Sequence, residues 1–237
     1  MNELRRAAVA EAYGTFLLTL LGPGSIIMMN FLQPFGSRGP STASIGFIGL
    51  AHGIAVLTAA YSIGHISGAH INPAVTIAQW ATHRIEKKRV APYIVAQLVG
   101  GTVAAFVLLA LWSSSTSTYV AAQDTFLGNT LPGAAFGSGA ALLAEVLGTA
   151  ALVFTIFGAT DKRANHSGAG VAIGLVLAAT IWIFGPVSGG SLNPARTLGP
   201  TVASAVFSFT PFATLWIYIV GPILGGLLGG FLYEVVK

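Results

Sequence analysis

The chain contains no cysteine, which excludes disulfides, thiolate metal sites and thiol nucleophiles and predicts insensitivity to thiol-reactive blockers. Charge is also scarce: 8% of the 237 residues are Asp, Glu, Lys or Arg against 54% apolar, and the mean hydropathy is +0.78. So little charge cannot clothe a surface that faces water on every side, which excludes an ordinary soluble domain and leaves an integral membrane protein. Acids are rarest, seven against eleven Lys and Arg. The resulting pI near 9.6 does not point to nucleic acid, because the bases are confined to loops and ends, as membrane orientation requires. No small-residue cleavage site follows a short apolar core behind Met1 to Arg6, so the first apolar run reads as a retained span.

Apolar runs long enough to cross a hydrocarbon core, about 20 residues each, lie near 7–30, 44–64, 90–112, 134–160, 169–187 and 213–236. Two further apolar pieces with helical patterning, Asn72 to Thr82 and Asn193 to Phe207, are too short. An eleven-residue helix is roughly 16 Å long, about half the core, so each piece reaches only the midplane. Arg5, Arg6, Arg84, Lys87, Lys88, Arg89, Lys162, Arg163 and Lys237 gather at the termini and in two loops. The 31–43 loop has only Arg38 and the Ser/Thr-rich 113–133 loop has none. Both termini are therefore expected on the cytoplasmic side.

Each short piece starts the same way. Ser67-Gly68-Ala69-His70-Ile71-Asn72-Pro73-Ala74 and Ser188-Gly189-Gly190-Ser191-Leu192-Asn193-Pro194-Ala195 run from a small-residue loop into Asn-Pro-Ala. Asn suits an N-cap and Pro the first helical position, where its missing N–H is not needed. The echo extends further, with Ala10-Glu11 through Gly14-Thr15 matching Ala144-Glu145 through Gly148-Thr149, and Tyr93-Ile94-Val95 matching Tyr218-Ile219-Val220. Residues 1–237 thus read as one domain of two repeats, about 7–113 and 134–236. Three spans is an odd number, so the second repeat is inverted and the two short helices point their N-termini at each other in the membrane centre.

Broken backbone at that depth survives only when buried in protein or lining a wet cavity. The expectation is a path through the middle whose waist carries about one positive unit from two helix ends, hostile to cations. Asn72 and Asn193 would offer amide N–H groups to the lumen while their oxygens cap the helices. The carbonyls of Gly68, Ala69 and His70, and of Gly189, Gly190 and Ser191, would serve as acceptors for the solute. Arg196, three residues into its helix, falls about 4.5 Å beyond the midplane. Depth counting along the second and fifth spans brings His52 and Ile181 to nearly the same level, roughly 3–6 Å. Arg at such depth is costly and should face the lumen. Two acids, Glu11 and Glu145, fall inside spans at equivalent points of the repeats.

On these motifs the sequence resembles the aquaporin family, the major intrinsic proteins, over essentially its whole length. The resemblance implies an all-α membrane fold of six transmembrane helices plus two half-helices, a homotetramer in the lipid bilayer with a pore per subunit, and passive flow of water or small neutral solutes. It implies a constriction formed by His52, Ile181, Gly190 and Arg196, with Glu11 and Glu145 supporting the pore loops; His65 and His70, flanking Ser67-Gly68, read as further loop supports. Strict water channels of the family usually place Phe and a second His where this chain has His52 and Ile181. The present set is similar to that of plant vacuolar-type members that also pass ammonia. Family glycerol channels usually carry Asp after the Arg, where this chain has Thr197. Around His70 to Trp80 and Tyr93 to Gln97 it is most similar to microbial, including archaeal, members, which implies a cell membrane. No enzyme activity, cofactor, metal or nucleic acid is called for. The competing readings are a glycerol or urea facilitator, a secondary transporter with broken helices, and a purely adhesive junction protein with a closed pore.

Overall fold

A computed structural model describes residues 2–35 and 39–237; Met1, named in reading the first span as retained, and Arg38, used in the orientation argument, lie outside the described residues. Among those described, six helices are long and apolar enough to cross a membrane: α1 (Glu3–Leu32), α2 (Thr42–Ser67), α4 (Lys87–Trp112), α6 (Gly137–Ala159), α7 (Ala169–Ser188) and α9 (Thr210–Val236). Between them stand the short α3 (Pro73–Ala81) and α8 (Pro194–Ala203). Nine and ten residues long, these measure about 14–15 Å, half a hydrocarbon core. Unbroken apolar runs make the long helices, and the chain turns out of α2 and α7 at Gly68 and Gly189, each a C-cap in the left-handed region that glycine enters without cost.

One helix was not legible in the sequence. The Ser/Thr-rich stretch read as a loop contains α5 (Thr116–Asp124). It lacks an apolar stripe that periodicity would detect, and its signal is local: Ser115 and Thr118 form a reciprocal capping box.

The packing pattern repeats. α1 lies on α4 and α2, as α6 lies on α9 and α7; α2 crosses α7; and each short helix packs on a long helix of the other half, α3 on α9 and α8 on α4. Glycine permits the closest crossings. A Cβ on Gly53 of α2 would stand 2.4 Å from the Gly174 carbonyl oxygen of α7, and one on Gly174 2.6 Å from that of Gly53. Without side chains at these positions the two backbones touch, which suits helix association in lipid, where packing rather than water expulsion drives contact.

The surface is apolar, and the interior holds polar and charged groups among its apolar clusters. Ile54, Val95, Val103, Leu143, Ile183 and Leu224 are exposed, whereas Glu11, His52, Asn72, Gln97, Glu145, Asn193 and Arg196 are buried. An apolar exterior with the polar groups withdrawn inside is what a hydrocarbon solvent selects, and it concentrates the costly groups where the two short helices begin.

Candidate functional site

The first pore loop leaves α2 through three left-handed residues, Gly68 (φ 91°), Ala69 (φ 48°) and Ile71 (φ 45°). The second matches it position for position with Gly189 (φ 82°), Gly190 (φ 62°) and Leu192 (φ 56°). Glycine adopts such angles freely, but a β-branched Ile or a Leu does so only when its surroundings enforce it, at roughly 1–3 kcal/mol.

The enforcement comes from the two intraspan acids. Glu11 accepts from the Ser67 hydroxyl (2.6 Å), the His70 N–H (2.9 Å), the Ile71 N–H (2.6 Å) and the Gln97 amide (2.7 Å). Glu145 accepts from the Ser188 hydroxyl (2.8 Å), the Ser191 N–H (2.9 Å) and the Leu192 N–H (2.7 Å). Both carboxyls are fully buried, and each turns one loop's orphan donors onto an acceptor-only group.

Two tyrosines that the sequence displayed only as part of the repeat complete each cradle. Tyr93 of α4 donates its hydroxyl to the Ser67 carbonyl at 2.8 Å, and Tyr218 of α9 donates to the Ser188 carbonyl at 2.7 Å. Their matching places in the two halves were the available signal. Thr130 had none, and Gln97 stood out only as the end of the stretch similar to microbial members. Thr130, in the segment after α5, meets the Thr197 hydroxyl at 2.8 Å, which in turn meets the Ser191 hydroxyl at 2.5 Å. Thr197 therefore belongs to a hydroxyl chain that ties an inter-span loop to the second pore loop.

At the centre the short helices meet. Asn72 caps α3 by accepting from Ala74 N–H at 2.9 Å, and Asn193 caps α8 by accepting from Ala195 and Arg196 N–H at 3.0 and 3.3 Å. Each side-chain amide also donates across the gap, Asn72 to the Leu192 carbonyl and Asn193 to the Ile71 carbonyl, both at 2.8 Å. The expectation that these amides serve the lumen is thus modified: of the two N–H bonds on each, one locks the opposing loop and one remains. Ile71 and Leu192 are not among the carbonyls expected to serve the solute, yet theirs are the ones that join the halves. Pro73, Ala74, Pro194 and Ala195 are all buried at the helix starts.

One continuous cavity of about 860 Å³ runs from Tyr61, Arg84 and Glu86 past both Asn residues to His52 and Arg196. Gly68, Ala69, His70 and Ser191 line it, while Gly189, Gly190 and Ile181 do not. Gly189 faces Thr130, and Gly190 faces Ile181, whose Cα and Cγ1 lie 3.3 Å from where a Cβ would be. The positive φ at both glycines turns them toward these neighbours. His65 is exposed at the cavity mouth. Among the described residues it has no hydrogen bond, so its expected part in holding the loop is corrected. It sits on the last turn of α2, ahead of the chain reversal at Gly68. His70, beyond that reversal, engages the loop: its Nδ1 meets the Thr76 hydroxyl at 3.1 Å and its ring packs edge-on against Tyr93.

His52 and Arg196 are in direct contact. Nδ1 of His52 lies 2.8 Å from the Ile48 carbonyl oxygen, which can only accept, so Nδ1 carries the proton and Nε2 is the acceptor. Nε2 is 3.1 Å from Nη2 and 3.3 Å from Nε of Arg196. The imidazole is consequently spoken for at both nitrogens, whereas Nη1 of Arg196 is buried with no partner among the described residues. An unmatched guanidinium donor at the end of this cavity is the group here that invites a neutral acceptor.

The family model for "Major intrinsic protein" matches residues 1–233. This chain belongs to the major intrinsic protein family. It is 39% identical to Aquaporin AqpM of Methanothermobacter marburgensis, over 99% of this chain and 98% of that one. It is 40% identical to Aquaporin Z of Photorhabdus laumondii, covering 98% and 97%. Among solved structures it is similar to the aquaglyceroporin from Plasmodium falciparum, with a TM-score of 0.86, 25% identity and coverage of 98% and 96%. The fold expected from the resemblance is the one found. As a family member with six apolar helices, the chain is a multi-pass membrane channel protein.

Proposed function

We propose that this major intrinsic protein is a passive water channel that also conducts ammonia and excludes protons and ions. The observation that carries the reading is the reciprocal pair of hydrogen bonds, 2.8 Å each, by which Asn72 and Asn193 bring two helix N-termini together on one cavity. Two such ends supply about one positive unit, and the cavity lining near them presents amide donors and carbonyls rather than carboxylates, so a cation entering would shed water without compensation. A water accepting from the two remaining amide hydrogens turns its own hydrogens outward and cannot relay a proton along the file.

In this reading His52 and Arg196, in contact, form the constriction at the end of the cavity, and Ile181 and Gly190, which pack on each other without lining the cavity, complete its ring. Glu11 and Glu145 hold the loops. The two halves are inverted repeats, both termini face the cytoplasm of a cell membrane, and the working unit is a homotetramer. A secondary transporter would need a titratable group free to couple at the centre, and both nitrogens of His52 are engaged. Reconstitution in liposomes tests the proposal. An osmotic step should give fast, non-saturating shrinkage without a pH change, and added ammonium should give rapid internal alkalinisation. Absence of water flow, or flow that saturates or carries protons, would refute it.

A further inference from the structure

We propose that Gly22 of α1 is a positioning residue for the constriction: by lacking a side chain it provides the seat of the His52 imidazole and so sets how much of the lumen that ring occupies. The inference rests on the reading of His52 and Arg196 as the constriction. A Cβ on Gly22 would stand 2.5 Å from both Cδ2 and Nε2 of His52 and 2.9 Å from Cε1, far inside an ordinary contact of about 3.5–4 Å. One edge of the imidazole is therefore laid on bare α1 backbone. The ring has no slack elsewhere, since Nδ1 is held by the Ile48 carbonyl at 2.8 Å and Nε2 by Arg196 at 3.1 Å. Nε2 is the atom that both the guanidinium and an added methyl would claim.

The position is helical and, unlike the pore-loop glycines, not among the left-handed residues, so its φ does not require glycine. Pro23 follows it inside α1, where a Cβ on the preceding residue crowds the proline ring, a strain that removing the His52 imidazole would not relieve. Two residues on, a Cβ at Gly24 would meet only the flexible end of Leu108 at 3.1 Å, so the requirement is particular to Gly22. A methyl there drives the imidazole off α1 toward the lumen and away from its hydrogen bond with Arg196.

The test measures osmotic water permeability per reconstituted channel for Gly22→Ala, His52→Ala, the double variant and Gly24→Ala. Gly22→Ala should conduct water on the order of tenfold more slowly, the scale at which one methylene is felt in a tight site. Gly24→Ala should match the native chain, and the double variant should match His52→Ala. Rescue by removing the imidazole is what a merely structural role for Gly22 would not produce. Unchanged flow in Gly22→Ala overturns the inference, and so does a double variant as slow as Gly22→Ala. If Gly22→Ala fails to reach the membrane, the double variant must restore insertion, and its failure too is a refutation. The underlying reading is judged apart, by urea passage in variants that keep Gly22: if neither His52→Ala nor Arg196→Ala changes it, the constriction itself is misplaced.

Discussion

Replacing Glu145 by Gln keeps the shape of the side chain and takes away one acceptor. In the native protein one carboxylate oxygen serves the Ser188 hydroxyl and the Ser191 N–H, and the other serves the Leu192 N–H at 2.7 Å. A Gln oxygen left with Ser188 and Ser191 sets its NH2 group against the Leu192 N–H, donor to donor, at a residue 1% exposed. An orphaned buried N–H costs about 1–3 kcal/mol, and the two surviving bonds lose their charge assistance, about 1 kcal/mol each. The sum, about 3–5 kcal/mol, is a large part of the 5–15 kcal/mol typical of a folded protein. It also removes the restraint on the left-handed Leu192, whose carbonyl accepts the Asn72 amide.

Thermal unfolding in detergent should therefore drop by about 10 °C, and osmotic shrinkage of proteoliposomes should slow severalfold. Glu11→Gln should cost at least as much: its NH2 group meets the Ile71 N–H donor to donor, and turning the Gln97 amide to accept from it gives up the 3.0 Å bond from Gln97 to the Thr76 hydroxyl. A Glu145→Gln or Glu11→Gln protein that melts and conducts like the native one would refute the argument.

Arg196→Ala should widen solute passage, raising urea and ammonia permeability in liposome swelling and alkalinisation assays; unchanged values would remove Arg196 from the constriction. Tyr218→Phe leaves the buried Ser188 carbonyl without its 2.7 Å donor and should cost about 1–3 kcal/mol, read as a lower melting temperature. Tyr93→Phe should do the same through Ser67. Thr130→Val cuts the 2.8 Å bond to Thr197 and should destabilise by about 1 kcal/mol, with slower water flow if the loop after α5 steadies the second pore loop. Native flow and melting in that variant would show the tie to be idle.

The six long helices and the two short ones were legible because bilayer thickness converts directly into run length, and because Asn-Pro-Ala after a small-residue loop is a local statement about capping. Family membership followed from the same residues. The pairing of Glu11 with Glu145 was visible as a repeat, although not which N–H groups each would collect. His65 illustrates the limit: it is as close in sequence to Ser67 as His70 is to Asn72, and only the chain reversal at Gly68 decides that His70 meets the loop and His65 the cavity mouth. α5 escaped for the opposite reason, since a helix held by one capping box leaves no periodic trace.

What the sequence by itself determined is everything set by local rules acting over one turn or one membrane thickness: the spans, the half-helix starts, the wealth of small residues and the location of the few charges. What only the tertiary structure decided is which partner each polar group finds among residues more than a hundred positions away. Asn72 reaches Leu192, Asn193 reaches Ile71, and Arg196 reaches His52. The physical reason is that a buried hydrogen bond depends on distances of a few tenths of an ångström and on which tautomer or rotamer the neighbours permit, and these emerge only when separate helices are brought into contact.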